Sequence, residues 1–336
     1  MDALSEALRA VRITGAVLIN GEFSSPWAFE SPPSAAVAPL IAPGTEHMVL
    51  FHLVDEGHAT AHVNGHADLA LEAGDIVIIP RGDAHRVWNG RGAPMLDTTK
   101  FLPKILEGSM EVERGGGGGA TTKVICGYFG CDRHALNLFL AGLPALFKVN
   151  LRRKKIGEGL ENSIRHAVEL ADSKSAGSRA LLCKFSEALF MEALCLYMDE
   201  MPDDCVGWLG AARDEAVGKA LAAIHRDHAK AWTLAELSRQ AGVSRTILAE
   251  KFSRFLGQSP IAYIARWRIQ MAMRKLESSD RNVVQIALEV GYESEAAFIR
   301  AFKRETGLSP AKYRRSLRSV PSPSLARSAR ESALVH

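Results

Sequence analysis

No run of about 18 apolar residues occurs anywhere in the 336-residue sequence, which excludes a bilayer-spanning helix. The start also lacks the basic-then-apolar order of a secretory signal. Met1-Asp-Ala-Leu-Ser-Glu-Ala-Leu-Arg reads instead as an amphipathic helix with its acidic residues early, so a cytoplasmic protein is expected. Cysteine is sparse and odd in number: Cys126, Cys131, Cys183, Cys195 and Cys205. That count without a signal argues for reduced thiols and against a disulfide frame. Cys126 and Cys131 have the wrong spacing for a zinc knuckle. Cys183 and Cys195 fall in an apolar helical pattern as small core residues, and no cysteine is assigned chemistry. Five glycines in a row, Gly115 to Gly119, do not make a phosphate cradle, because Thr121-Thr-Lys-Val-Ile-Cys continues as a strand. They read as a flexible surface loop.

What is present is ordinary in bulk and uneven in detail. Hydrophobic content of 47% with 24% charged residues fits a globular protein, and the length allows about two domains. Net charge is +3, but residues 1–210 carry −7, residues 211–318 carry +9 and residues 319–336 carry +1. A polyanionic partner for the basic third alone is the simplest consequence. Up to about residue 150 short Val/Ile/Leu runs alternate with Gly, Pro and Asp clusters, as in Met48-Val-Leu-Phe-His-Leu-Val, predicting strands of a barrel or sandwich. From about Ser163 the period becomes helical. Ala180 to Met198 is apolar on more than one face, so this helix packs on its own domain and is a candidate for pairing with a second chain. Residues 317–336 have too few apolar side chains to fold and are expected to be a disordered tail.

The basic third repeats itself. Leu234, Leu237 and Gly242 match Val283, Ile286 and Gly291; Leu248, Phe252, Gly257, Pro260 and Tyr263 match Phe298, Phe302, Gly307, Pro310 and Tyr313. Helix, glycine turn, helix, given twice, is a pair of helix-turn-helix units, since two copies are too few for a solenoid. Gly242 and Gly291 supply the turns, and Ser244 and Ser294 stand where the second helices need N-caps. Leu248/Phe252/Phe255 and Phe298/Phe302 should face the core. The opposite faces then present Arg245, Thr246, Ala249, Glu250 and Ser253 in one copy, and Glu295, Ala296, Ile299, Arg300 and Lys303 in the other. These can reach base edges if the helices lie in major grooves, roughly 34 Å apart in successive turns. Arg300 has the fork for guanine, Glu250 can accept from a cytosine amino group, and Thr246, Ala249 and Ile299 suit thymine methyls. Lys251, Arg254, Arg266, Arg268, Lys303, Arg304, Arg314 and Arg315 are the expected phosphate contacts. Glu295 either caps its helix start or repels wrong alignments.

Gly291-Tyr-Glu-Ser-Glu-Ala-Ala-Phe-Ile-Arg-Ala-Phe-Lys-Arg-Glu-Thr-Gly-Leu-Ser-Pro-Ala-Lys-Tyr-Arg-Arg resembles the signature of AraC/XylS-type transcriptional regulators. The likeness covers about residues 215–316. It implies two helix-turn-helix units on a linker helix, with base contacts at Thr246, Ala249 and Glu250 and at Glu295, Ala296, Ile299 and Arg300. Gly74-Asp-Ile-Val-Ile-Ile-Pro-Arg-Gly-Asp-Ala-His-Arg-Val-Trp-Asn is similar to the second cupin motif, which points His85 into a small barrel. The first cupin motif, with its His-x-His pair and Glu, is not intact. His47 and His52 are five apart and so on opposite strand faces, and Leu50 falls near the expected Glu. His52 and His85 fall short of the three protein ligands of a catalytic metal site. They are assigned to an effector pocket, with satisfied core histidines as the alternative, and no metal or cofactor is expected. Pro26-Trp27, Phe51-His52, Ile125-Cys126-Gly-Tyr, Leu143-Pro144, Trp208 and Leu221-Ala-Ala-Ile-His225 resemble landmarks of the cupin-bearing subgroup of this family.

The expected fold is therefore multidomain α+β. A cupin-like β-barrel over 1–150 is followed by a helical linker and dimerisation region over 151–213, and an all-α double helix-turn-helix domain over 214–316. The leading function is a DNA-binding transcriptional regulator, not an enzyme, controlled by a small molecule in the barrel. Double-stranded DNA, RNA polymerase and an effector are the expected partners, with a homodimer as the expected assembly. A metal-dependent cupin enzyme with a DNA-binding appendage, and a constitutive DNA binder whose barrel only dimerises, are the alternatives.

Overall fold

The computed structural model describes residues 2–10, 13–45, 47–131, 140 and 142–318. The expected tail beyond residue 318 lies outside them. Among the described residues the chain divides into two compact units. One holds residues 13–131 and 143–201; the other holds residues 2–10 together with 202–318.

The first unit contains ten strands: β1 Ile13–Ser24, β2 Trp27–Ser31, β3 His47–Glu56, β4 His58–Val63, β5 Leu69–Glu72, β6 Asp75–Ile79, β7 His85–Asn89, β8 Val112–Gly116, β9 Thr121–Cys131 and β10 Phe147–Asn150. They form a six-stranded sheet ordered β10-β6-β3-β9-β1-β8 and a four-stranded sheet ordered β2-β7-β4-β5. All pairs are antiparallel except β1 with β8. The barrel is thus made of two separate hydrogen-bonded sheets. Short helices at Ser34–Ile41 and Leu102–Glu107 interrupt the strands. Between the sheets, Val54, Val77 and Val124 of one meet Ala61, Leu71 and Val87 of the other, with Phe23, Trp27 and Phe29 filling one end.

The cupin-like stretch owes its turn to Gly82, at φ +63°, where a Cβ would stand 2.5 Å from the Met48 carbonyl oxygen. Asn89, which closes that motif, donates to the His58 carbonyl at 3.0 Å and to Thr122 Oγ1 at 3.1 Å, tying both sheets together. The glycine run is tighter than a flexible loop. Gly115 and Gly116 pair with Phe23 and Ser24 of β1, and a Cβ on Gly117 would lie 2.4 Å from Pro26 Cδ.

The helix Ser178–Glu200 packs on the larger sheet, and the helix Lys155–Asp172 packs in turn against that helix. Phe51 and Phe129 stack at 4.5 Å, and Phe190 of the longer helix packs on Phe129 at 4.7 Å. Its close approach relies on small residues, since a Cβ on Gly15 would fall 2.3 Å from Ser186 Cβ. Arg152 fixes the shorter helix, donating to buried Glu161 and to the Asp55 carbonyl at 2.8 Å, while Arg165 pairs with the Asp55 carboxylate. Cys183 and Cys195, expected in the core, are only half-buried. The buried stripe runs through Leu182, Ser186, Leu189, Phe190 and Ala193 and leaves them at its edges.

The second unit is all helix: Trp208–Arg213, Glu215–Arg226, Leu234–Ala241, Arg245–Leu256, Pro260–Ser278, Val283–Glu289, Glu295–Thr306 and Pro310–Arg318. To these is added Ala3–Ala10, which packs on Glu215–Arg226 through buried Ala3, Leu4 and Ala7. The helix Ser178–Glu200 packs on its own domain, as its apolar faces imply, so residues 143–201 group with the sheets, while the N-terminal helix joins the helical unit. Both follow from burial of an apolar helix stripe, whose partner surface is invisible in one dimension.

Candidate nucleic-acid interface

The two repeats fold as the residue pattern implies. Thr233 with Glu236 and Asn282 with Gln285 form reciprocal caps on the first helix of each unit. Gly242 and Gly291 turn the chain at φ +71° and +90°. Ser244 Oγ then accepts from the Ile247 amide at 3.2 Å and Ser294 Oγ from the Ala297 amide at 3.3 Å, starting the second helices. Leu248, Phe252, Phe298 and Phe302 are fully buried, so the opposite faces are forced outward.

On the first of these helices Arg245, Thr246 and Glu250 are exposed and Ala249 is half-buried. On the second, Glu295, Ala296 and Arg300 are exposed and Ile299 is half-buried. Glu295 lies in the first turn, where a carboxylate complements the helix dipole, while Ser294 is the cap itself. Ile247, next to Thr246, is an apolar side chain left 44% exposed that the sequence reading missed.

The expected phosphate contacts separate into two groups. Arg254, Lys303 and Arg304 are exposed, with the Arg254 guanidinium 5.4 Å from the centre of the Phe255 ring. Arg315 is exposed and its Nε reaches the Ala311 carbonyl only at 3.5 Å. The others are engaged within the unit. Lys251 Nζ lies 2.5 Å from Asp214 Oδ2, and that carboxylate also caps Glu215–Arg226 through the Ala216 and Val217 amides. Arg266 Nε pairs with Glu305 at 2.9 Å. Arg314 donates to the carbonyls of Leu276 and Arg281 at 3.4 and 2.6 Å. Arg268 donates to four backbone carbonyls. Sequence gives an arginine's charge but not its acceptors, which here come from segments 23 to 40 residues away.

A second missed feature holds the unit together. Tyr263 Oη accepts from Trp208 Nε1 at 2.9 Å and lies 2.7 Å from His225 Nε2. Burial disfavours the charged imidazole, and in its neutral form Nε2 can accept the phenol proton that the donor-only indole cannot take. Burial lowers the His225 pKa to about 3. Trp208 and His225 carried a signal in their family resemblance, but Tyr263 was visible only as a repeat position.

In the first unit β3 and β7 bring His52 and His85 together between the sheets, Nε2 to Nε2 at 2.6 Å. His85 Nδ1 lies 2.9 Å from the Asp83 carbonyl, which can only accept, so that nitrogen carries the proton. His52 Nε2 then donates to His85, and His52 Nδ1 is left as a buried lone pair without a partner. Burial lowers both pKa values, that of His52 strongly. Phe29 meets His52 edge-on at 5.5 Å. His47 bonds elsewhere, to the Pro80 carbonyl at 2.7 Å. This pair does not fit the metal that cupins commonly hold. Tetrahedral ligation would separate two nitrogens by about 3.3 Å. Among the described residues no group of three His, Cys, Asp or Glu side chains could ligate an ion. No described helix is long and apolar enough to cross a membrane.

Two capped helix-turn-helix units on a basic helical body define a binder of double-stranded DNA. Comparison with known proteins narrows this. Residues 2–199 match the model of a cupin family, and residues 237–316 match that of a helix-turn-helix domain family. A putative AraC-like transcription regulator of Streptomyces antibioticus is 30% identical over 270 residues, covering 79% of this chain and 86% of that protein. The HTH-type transcriptional regulator AlkR of Acinetobacter baylyi is 29% identical, covering 94% of this chain and 99% of its own. The DNA-binding domain of AdpA, solved with a target DNA, is 29% identical over 32% of this chain and 95% of that one, with a TM-score of 0.30. The protein belongs to the AraC-type transcriptional regulators that carry an N-terminal cupin domain, and it is a DNA-binding regulator of transcription.

Proposed function

We propose that the protein reads a non-palindromic promoter site with its two second helices. Thr246, Ala249 and Glu250, with Arg245 beside them, face one box; Ala296, Ile299 and Arg300, preceded by Glu295, face the other. The observation that carries this reading is the contrast within the repeat. The buried positions Leu248/Phe252 and Phe298/Phe302 are equivalent, while the exposed positions in the same register differ: Arg245 against Glu295, Thr246 against Ala296 and Glu250 against Arg300. Arg254, Lys303, Arg304 and Arg315 supply phosphate contacts that position the unit without selecting sequence. The first unit is a sensor that encloses a small, largely apolar effector near His52 and His85, where a lone pair awaits a donor. Two chains pair through Ser178–Glu200, whose Leu181 and Met191 remain 42% and 41% exposed opposite its packed side. The output is a changed engagement of RNA polymerase. Effector control requires two arrangements of the protein with different effector affinity. A histidine pair that is bonded to itself supports a regulator without enzymatic activity.

The test is a binding-site selection with the full chain. An asymmetric motif of two unlike boxes is expected, and in the Arg300→Ala variant one position of one box should lose its base preference. A palindromic motif, or an unchanged preference in that variant, refutes the proposal.

A further inference from the structure

Arg268 stands in the middle of the linker helix Pro260–Ser278, and its guanidinium is half-buried. Nε donates to the His228 carbonyl at 2.7 Å, and Nη2 to those of Ala229 and Lys230 at 3.2 and 2.8 Å. On the other side Nη1 donates to the Gly291 carbonyl at 2.9 Å. A guanidinium has five N–H donors, and four are spent here on two separate stretches of backbone.

Those stretches each lead into one of the two readers. Residues 228–230 run into the first helix-turn-helix. There Trp232 Nε1 donates to the Asp227 carbonyl at 2.8 Å, Lys230 Nζ sits 4.0 Å from the centre of the Trp232 ring, and Thr233 caps Leu234–Ala241. Gly291 is the turn of the second helix-turn-helix, three residues before the Ser294 cap. The two stretches touch directly, since a Cβ on Gly291 would stand 2.4 Å from the Ala229 carbonyl oxygen. Tyr292, with its ring centre 5.9 Å from the guanidinium, flanks the same seam. The linker helix alone would set the distance between the units but not their rotation about it. The fork of Arg268 ties both to one planar group.

We infer that Arg268 is a positioning residue for DNA reading: it fixes the spacing and rotation between the two second helices and thereby the number of base pairs tolerated between the two boxes. The inference rests on both helices reading bases. One inserted base pair shifts a box by about 3.4 Å and rotates it by about 34°, so a rigid pair of readers must reject it. A lysine cannot replace the fork, because a single ammonium lacks the spread to reach carbonyls on both sides.

The test uses the full chain and selected sites with one base pair inserted or deleted between the boxes. For the wild type each change should weaken binding by about tenfold or more, the scale of a lost base contact. For Arg268→Met that penalty should fall to about threefold or less, with the slope of affinity against salt unchanged. Arg268→Lys, which keeps the charge and is the milder packing change, should lie between the two. Circular dichroism and thermal melts establish which variants are folded at the assay temperature. If Arg268→Met is not, Arg268→Lys carries the test alone. A wild-type spacing profile in the folded variants overturns the inference. So does an equal loss at every spacing with a salt slope shallower by about one, which marks a phosphate contact. If the wild type itself ignores spacing, the two-helix reading fails first, a distinct result.

Discussion

His225 should make the helical unit acid-sensitive, and the size of the effect follows from its surroundings. The imidazole is buried between Trp208, stacked at 5.9 Å, and Trp267, stacked at 4.1 Å, with Tyr263 Oη on Nε2. Its folded pKa is about 3 against 6.5 when unconstrained. Because the folded value of this base is depressed, the unfolded chain takes up the proton first. Stability is therefore full above about pH 6.5 and is lost as pH falls toward the folded value. From pH 7.5 to pH 5 the loss from this one group is about 2 kcal/mol. That figure depends little on how far below 5 the folded pKa lies. His225→Gln cannot titrate; it should be less stable by about 1–3 kcal/mol at pH 7.5 through poorer pairing of buried groups. The gap between the two proteins should then narrow by about 2 kcal/mol at pH 5. Since the chain holds two units and unfolding need not be two-state, the readout is amide exchange across Glu215–Arg226, corrected for intrinsic rates. A gap that stays constant across this pH range would refute the neutral, buried assignment of His225.

Arg254 and Lys251 lie three residues apart on one helix, yet they should behave differently. Arg254→Ala should lower affinity for all DNA sequences and make the salt slope shallower by about one unit. Lys251→Met should leave that slope alone, because its ammonium is already paired with Asp214, and should cost below about 1 kcal/mol of stability as a partly exposed ion pair. Equal slopes for the two variants would undo this division. For the sensor unit, thermal-shift screening should find a small molecule whose stabilisation grows with ligand excess. A unit that responds to nothing across a broad apolar and aromatic panel would support the constitutive alternative.

Local sequence determined a large share of this protein. The caps at Thr233, Ser244, Asn282 and Ser294 and the turns at Gly242 and Gly291 are set by residues within four positions of one another, so they are legible in one dimension. The split between buried Leu248, Phe252, Phe298 and Phe302 and the exposed reading faces follows from helical periodicity alone. The pairing of His52 with His85 was foreseeable because strand alternation fixes the face of each. What tertiary structure decided was the employment of the charges and the fate of the apolar helix faces. Arg268, Arg314 and Lys251 carry the same formal charge as Arg254, but distant carbonyls and a carboxylate claim them. The N-terminal helix announces an apolar stripe without saying that Glu215–Arg226 covers it. An arginine side chain can meet acceptors from any segment the fold brings near. Whether it grips DNA or braces the reader is thus settled only once those segments are in place.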